Sequence, residues 1–302
     1  MSMNIGVVFV STGGNKMMRA LRSLRRMEPD LTVYISMDTT AKSWYPYPPL
    51  SDFASQPNVI VRSNPNNCYV NGAMNAAMSW MAELGYDHVC MFHDDIIFSP
   101  FKEHQGDLSR WFAKVETDPL LSKASGITLS QVEAITPEPG IPCVPRSPEF
   151  WDAMDLESEE FWTRLKLNGN SPEYLDQIHQ VYPDNLGWFI EYYGVAKTAR
   201  CTRLGSTGQI VPVATWELVG RFDEQYGVFY DMEYPVECYR RKLPPMYMIP
   251  NIPFLHLHNQ SHGPRHPSNE TIFYNCVDAW YRKFTKEMVD EFHHNLQQDY
   301  FL

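Results

Sequence analysis

The first hundred residues alternate between two hydrophobic periods, and that alternation restricts the fold more than any other feature of the chain. Ile5 to Val10 is an apolar run ending in a turn-like Ser-Thr-Gly-Gly-Asn, which reads as a buried strand. Met17, Leu21 and Leu24 then recur at helical spacing, with Asn15 as the expected N-cap. Thr32 to Met37 reads as a second strand ending at Asp38, and Val59 to Arg62 as a short third. Met74, Met78, Met81 and Leu84 mark one face of a further helix, with Gly85 as its stop. His88 to Phe92 is the next strand, and it delivers His93, Asp94 and Asp95 at its end. Repeated strand–helix–strand units require a mainly parallel central sheet flanked by helices, an α/β architecture. Ligands in such sheets bind at the carboxyl ends of the strands. Asp38 and the Asp94–Asp95 pair are both expected on that edge.

Beyond residue 100 the pattern loosens. Asp107 to Val115 reads as helix and Ala124 to Leu129 as strand. Residues 130–186 are rich in Pro and acids, including Pro137, Pro139, Pro142, Pro145 and Pro148, and are poor material for a regular sheet. They are expected to form a variable insertion or lid. Regular signals return at Gly187 to Gly194 and in GQIVPVATWELVGRFDE. A last helix is expected over about 272–296, with Phe273, Val277, Tyr281, Phe284, Met288 and Phe292 at helical spacing. The 302 residues thus read as one domain in four stretches: residues 1–129, the insertion (130–186), residues 187–262 and a C-terminal helical segment (263–302).

Charge and cysteine usage narrow the function classes. The formal net charge of -11 argues against broad non-specific nucleic-acid binding. Arg19, Arg22, Arg25 and Arg26 do crowd one segment, read first as a solvated helix face. The six cysteines are scattered with no CxxC pair, which suits a reducing compartment better than a disulfide scaffold or zinc ribbon. No segment approaches the ~18 apolar residues of a transmembrane helix, and the N-terminus lacks a signal-peptide pattern. A cytoplasmic protein is the expectation.

Two adjacent carboxylates at a strand end repel each other unless a cation lies beside them. Mg²⁺ commonly takes one or two carboxylates together with phosphate oxygens, so the pair at the ligand edge suits a metal–diphosphate. The late run PNIPFLHLHNQSHG places His256 and His258 on one face of a strand. One late histidine is expected as a metal ligand. A structural zinc site from His256, His258, His262 and His266 is the competing idea, without a recognised spacing to support it.

The stretch NNCYVNGAMNAAMSWMAELGYDHVCMFHDDIIFSP resembles the corresponding part of family 2 glycosyltransferases of the GT-A fold. Asn75 and Asp95 match that pattern, and the family's usual first acid falls on His93, giving His-Asp-Asp. Asp38 falls where the family places an acid contacting the nucleotide, and Thr12 where the nucleotide crosses the sheet edge. Downstream, VATWELVGRFDEQYGVFYDMEYPVECYRR resembles the Gly-Phe-Asp-Glu segment and the acid-rich helix start, with Val219 and Arg221 departing from the usual residues. The resemblance spans roughly residues 4–130 and 205–260.

It implies a metal-dependent glycosyltransferase moving a sugar from a nucleotide-diphosphate sugar to an acceptor hydroxyl with inversion. Asp231 takes the place of the general base, with Glu233 and Glu237 as fallbacks. Asp95 holds Mn²⁺ or Mg²⁺ with His256 or His258, aided by Asp94. Thr12, Asp38, Asn75 and Asp94 bind the donor. The acceptor is a glycan or a modified, hydroxymethylated DNA base. Trp151, Trp162, Tyr174 and Tyr182 are candidate sugar-stacking residues, or simply packing. A sugar-nucleotide-type nucleotidyltransferase and an inactive nucleotide-sugar-binding protein are the alternatives.

Overall fold

The structure is a computed structural model that describes residues 3–38, 50–64, 69–135, 155–164, 189–193, 197–205, 207–226, 230–250, 254–257, 282–285, 287–288 and 290–291. The expected alternation is present. Strand β1 (Ile5–Ser11) leads to helix α1 (Gly14–Met27), β2 (Val33–Asp38), α2 (Leu50–Ala54), β3 (Val59–Asn64), α3 (Tyr69–Glu83) and β4 (His88–His93). Then come β5 (Ile96–Phe98), α4 (Asp107–Thr117), β6 (Ile127–Leu129), β7 (Gln131–Ile135) and α5 (Glu159–Arg164). The remainder is β8 (Phe189–Tyr193), β9 (Ala199–Cys201), β10 (Gln209–Pro212), α6 (Val213–Val219), α7 (Tyr230–Arg240), β11 (Met246–Ile249) and β12 (Phe254–Leu257).

Among the described residues the main sheet has eight strands in the order β3-β2-β1-β4-β10-β6-β11-β9. The first four are parallel, so Ser11, Asp38, Asn64 and His93 all end on one edge. Alternate residues of each strand feed two cores. Val7, Phe9 and Phe92 pack with Met17, Leu21 and Leu24 of α1 and Leu108 and Val115 of α4. Val8, Val89 and Met91 pack on the other face with Met74, Met78 and Met81 of α3, Trp216 of α6 and Tyr234 of α7. Each such buried side chain contributes about 1.5–3 kcal/mol by leaving water, which fixes the strand register and with it the position of the edge.

A second, four-stranded sheet has the order β5-β12-β7-β8. Phe92 joins the two sheets, its ring 5.3 Å from Phe98 of β5 and 5.8 Å from Phe254 of β12. The strand β7 is a departure from expectation, because residues 131–135 belong to this sheet although they begin the segment read as an insertion.

Three local expectations also change. Gly13 and Gly14 both adopt positive φ (86° and 81°), a left-handed turn that glycine tolerates, so α1 is capped at Gly13 and not at Asn15. Leu84 lies beyond the last residue of α3 and is 49% exposed, while Gly85 with φ of 83° ends the turn as expected. The α1 arginines form the expected solvated face only in part, since Arg22 and Arg26 are exposed and Arg19 and Arg25 are not. Arg19 is buried, Arg22 and Arg26 each bind Glu157 at 2.8 Å, and Arg25 donates to the carbonyls of Leu31, Pro57 and Asn58. Trp162 is fully buried and donates its indole N–H to the Leu156 carbonyl, which makes it a packing residue. Of the last helix only a few residues are described, Phe284 fully buried among them. Trp151, Tyr174, Tyr182, Phe273, Val277, Tyr281 and Phe292 lie outside the described residues. No described helix is long and apolar enough to cross a membrane.

Candidate metal and active site

The apolar run of β4 ends at His93, and the chain then turns sharply into β5. Strand β12 lies antiparallel to β5, with His256 opposite Ile96 and the Leu257 N–H donating to the Asp95 carbonyl at 2.8 Å. The register therefore brings His256, some 160 residues downstream in sequence, against the end of β4. Ligand atoms of His93, Asp95 and His256 all lie within 4.8 Å of one another. That is close to what one ion about 2 Å from each can bridge.

Asp95 is 8% exposed, and its Oδ1 accepts no hydrogen bond from the described residues, with His256 Nε2 3.5 Å away. A buried carboxylate oxygen left so is costly unless a cation completes it. Burial alone would raise the Asp95 pKa. The His256 ring, then His93 and Lys16, outweigh it and hold the carboxyl well below the usual carboxylate range. The residues fit a divalent ion. His258 lies outside the described residues.

Asp94 turns the other way. Its Oδ2 accepts from the Ser11 hydroxyl at 2.7 Å and the Thr12 N–H at 2.9 Å, and its Oδ1 pairs with Lys16 at 2.9 Å. Ser11 Oγ in turn accepts the Gly13 N–H at 2.7 Å. The charge pair thus pins the β1–α1 turn to the end of β4, and Thr12 spends its N–H there. Asp38 is buried at the end of β2, on the same edge.

Asn75 takes no place at that edge. Its Oδ1 accepts from the Trp216 indole and the Phe222 N–H, and its Nδ2 donates to the Phe222 carbonyl and to Glu224. It ties α3 to the turn after α6, with all its hydrogen-bonding capacity accounted for within the protein.

Beyond that turn comes α7, whose first residue, Tyr230, sets its ring near that of His93. Pro235 has no N–H, so the Asp231 carbonyl four residues earlier lacks a helical donor. The Leu204 N–H fills the gap at 3.1 Å. This docks Leu204 on α7 and sets Arg203 on the Asp231 carboxylate, Nε to Oδ2 at 2.7 Å. Asp231 is 5% exposed, and burial raises its pKa against the pull of Arg203. Thr207, further along the chain, accepts the His93 N–H at 2.8 Å. Tyr230 bridges the two groups, its ring 6.3 Å from that of His93 and its phenol subject to the charges of Asp231, Arg203 and Asp95.

Glu233 is differently placed. It accepts the Asp223 N–H and pairs with Lys283 at 3.0 Å, and burial raises its pKa against that lysine. Lys283 also lies 3.5 Å from Glu237 and 3.6 Å from Asp223. Sequence reasoning missed Arg203, Lys16, Thr207 and Tyr230, and it did not assign His93 as a ligand. Only the Asp231-to-Pro235 spacing hinted that the start of α7 would need an outside donor.

A mainly parallel eight-stranded sheet flanked by helices is the fold of the GT-A-type glycosyltransferases. Among solved structures, GalNAc-T7 with UDP, GalNAc and Mn²⁺ aligns at a TM-score of 0.50 and 10% identity, over 97% of this chain and 50% of that one. The chain therefore spans half the length of that protein. S. aureus TarS 1-349 aligns at a TM-score of 0.44 and 10% identity, over 94% of this chain and 73% of that one. Its complex with UDP gives 0.45 at 10% identity, over 93% and 73%. No protein-family profile and no curated protein matches the chain by sequence.

Proposed function

We propose that the chain is a metal-dependent, inverting glycosyltransferase that moves a sugar from a nucleotide-diphosphate sugar to an acceptor hydroxyl, as in family 2. The observation that carries this is the convergence of His93, Asp95 and His256 at the ligand edge of a GT-A fold. The likeness to GalNAc-T7, whose structure holds UDP, GalNAc and Mn²⁺, supports the donor class and a cation. Two imidazoles with one carboxylate favour Mn²⁺ over Mg²⁺, which prefers oxygen. A divalent ion bound there would neutralise charge on the departing diphosphate.

In this reading Asp231 is the base. It takes the proton of the acceptor hydroxyl as that oxygen bonds to the anomeric carbon. The anomeric bond to the diphosphate breaks, and the nucleoside diphosphate leaves with the electron pair. Such help is typically worth ~10²–10⁴-fold. Glu233, held by Lys283, shapes the turn beneath it. Asp94 serves the donor indirectly, through the turn that carries Thr12, and Asp38 faces the nucleotide.

A glycan is the favoured acceptor, because the α1 arginines that would have met DNA phosphates are engaged by Glu157 and backbone carbonyls. The buried free thiols of Cys90, Cys201 and Cys238 support a reducing, cytoplasmic setting. The division into a donor half up to residue 129 and an acceptor half from 187 belongs to the same proposal.

The test is a thermal-shift screen of nucleotide sugars with Mn²⁺ and Mg²⁺, followed by product analysis with the stabilising donor. Release of a nucleoside diphosphate is expected. Release of pyrophosphate would make the chain a nucleotidyltransferase, and binding without turnover an inactive binder.

A further inference from the structure

Arg203 belongs to neither metal group nor strand end, yet it occupies the carboxylate assigned as the base. The Arg203 side chain is 51% exposed and the Asp231 side chain 8%, so the arginine covers the acid from the solvent side. The backbone beneath is fixed. Thr128 Oγ1 donates to the Arg203 carbonyl at 3.2 Å and accepts the Gly205 N–H at 3.0 Å, and Leu204 is bonded to Asp231. Any change of partner must therefore come from the long side chain alone. The chain continues to Thr207, which accepts the His93 N–H at 2.8 Å. Tyr230 links the guanidinium to the metal group: its phenol is subject to the charges of both Arg203 and Asp95, and its ring lies 6.3 Å from that of His93.

We propose that Arg203 is a diphosphate-binding residue whose resting ion pair with Asp231 masks the base until the donor arrives. The inference rests on the glycosyltransferase reading and adds to it an order of events, donor before acceptor. A diphosphate offers the guanidinium two separate oxygens, whereas at rest its Nε and Nη2 share the single Oδ2 of Asp231. Once Arg203 leaves, Asp231 keeps its burial but loses the charge that opposes it, and becomes a stronger proton acceptor. The base is thus released by the same diphosphate that carries the sugar to be transferred.

Competition between Asp231 and a diphosphate for one guanidinium makes a reciprocal prediction that a merely structural ion pair does not. Binding of UDP with Mn²⁺ is measured by calorimetry on the full chain, with uridine as the phosphate-free control. Arg203→Gln is expected to weaken UDP about tenfold, the loss of a charge-assisted pair, and to leave uridine unchanged. Asp231→Asn is expected to tighten UDP several-fold, because it removes the rival anion. Arg203→Lys restores part of the affinity. Should Arg203→Gln unfold because Asp231 is left buried and charged, the double variant Arg203→Gln/Asp231→Asn removes both charges and still binds UDP more weakly than Asp231→Asn. Unchanged UDP affinity in Asp231→Asn, or equal affinity in Arg203→Gln and the wild type, overturns the masking role alone. A wild-type chain that binds neither UDP nor any other nucleoside diphosphate with Mn²⁺ overturns the glycosyltransferase reading along with it.

Discussion

Asp94 and Asp95 are joined by one peptide bond, yet their carboxylates meet different surroundings because the chain turns between β4 and β5. Asp95 points to two imidazoles, and Asp94 to a lysine, a hydroxyl and a backbone N–H. Single substitutions should separate the two roles. His256→Ala or Asp95→Asn is expected to lower Mn²⁺ affinity at least about tenfold with little change in secondary structure, as loss of a ligand does. Asp94→Ala is expected to leave Mn²⁺ affinity of the folded protein within a few-fold. It should instead cost about 2–4 kcal/mol of stability, since Lys16 and the turn donors lose their acceptor. Calorimetric Mn²⁺ titration and urea unfolding of the three variants decide the matter. An Asp94 variant that loses Mn²⁺ binding as completely as Asp95→Asn would show that the two acids act as one metal site. His93 shows where the residue scale was not legible: it stands where the resembled pattern has an acid and was not among the expected ligands, yet the structure brings it together with Asp95 and His256.

At the scale of elements, the site depends on how closely β12 approaches the main sheet. Gly208 has φ of 65°, and a Cβ placed there would stand 2.5 Å from Phe254 Cζ. Phe254 lies two residues before His256 on β12, so the glycine lets that strand seat its histidine. Gly208→Ala is expected to cost about 1–3 kcal/mol, from overpacking and a strained backbone, and to weaken Mn²⁺ binding through displacement of His256. Stability and Mn²⁺ affinity measured together test this; a variant that keeps both would mean that β12 is not held by that contact. The elements of the first hundred residues were readable because each carries a clean period. β7 was not, for its five residues lie at the head of a proline-rich stretch and their pairing is with β12 and β8, both remote in sequence.

For the whole molecule, acid sensitivity follows from histidines folded in neutral form. Burial lowers the His88 pKa, against the nearby Asp87, and likewise lowers that of the half-buried His104. The unfolded chain binds protons near pH 6.5, whereas the folded chain resists them. Stability from this source is therefore present above pH 6.5 and is lost as pH falls toward the lowered folded values. Urea unfolding between pH 7.5 and 5 should show stability declining with acid, and His88→Gln should flatten the decline. An identical pH slope in wild type and variant would remove His88 from the account.

The sequence by itself determined the parallel half of the sheet, the edge on which ligands meet it and the carboxylate that ends β4, because strand and helix periods are local properties of neighbouring residues. It also supplied His256 and Asp231 as candidates. Only the tertiary structure decided their company. Asn75, matched to a donor-binding position, turned out to knit α3 to the turn after α6, and Asp94 to hold the first turn of the chain. Arg203 met Asp231 because a proline in α7 left a carbonyl open to Leu204. Such pairings are set by which strands lie side by side and which backbone groups remain unsatisfied, and both arise only when distant segments pack.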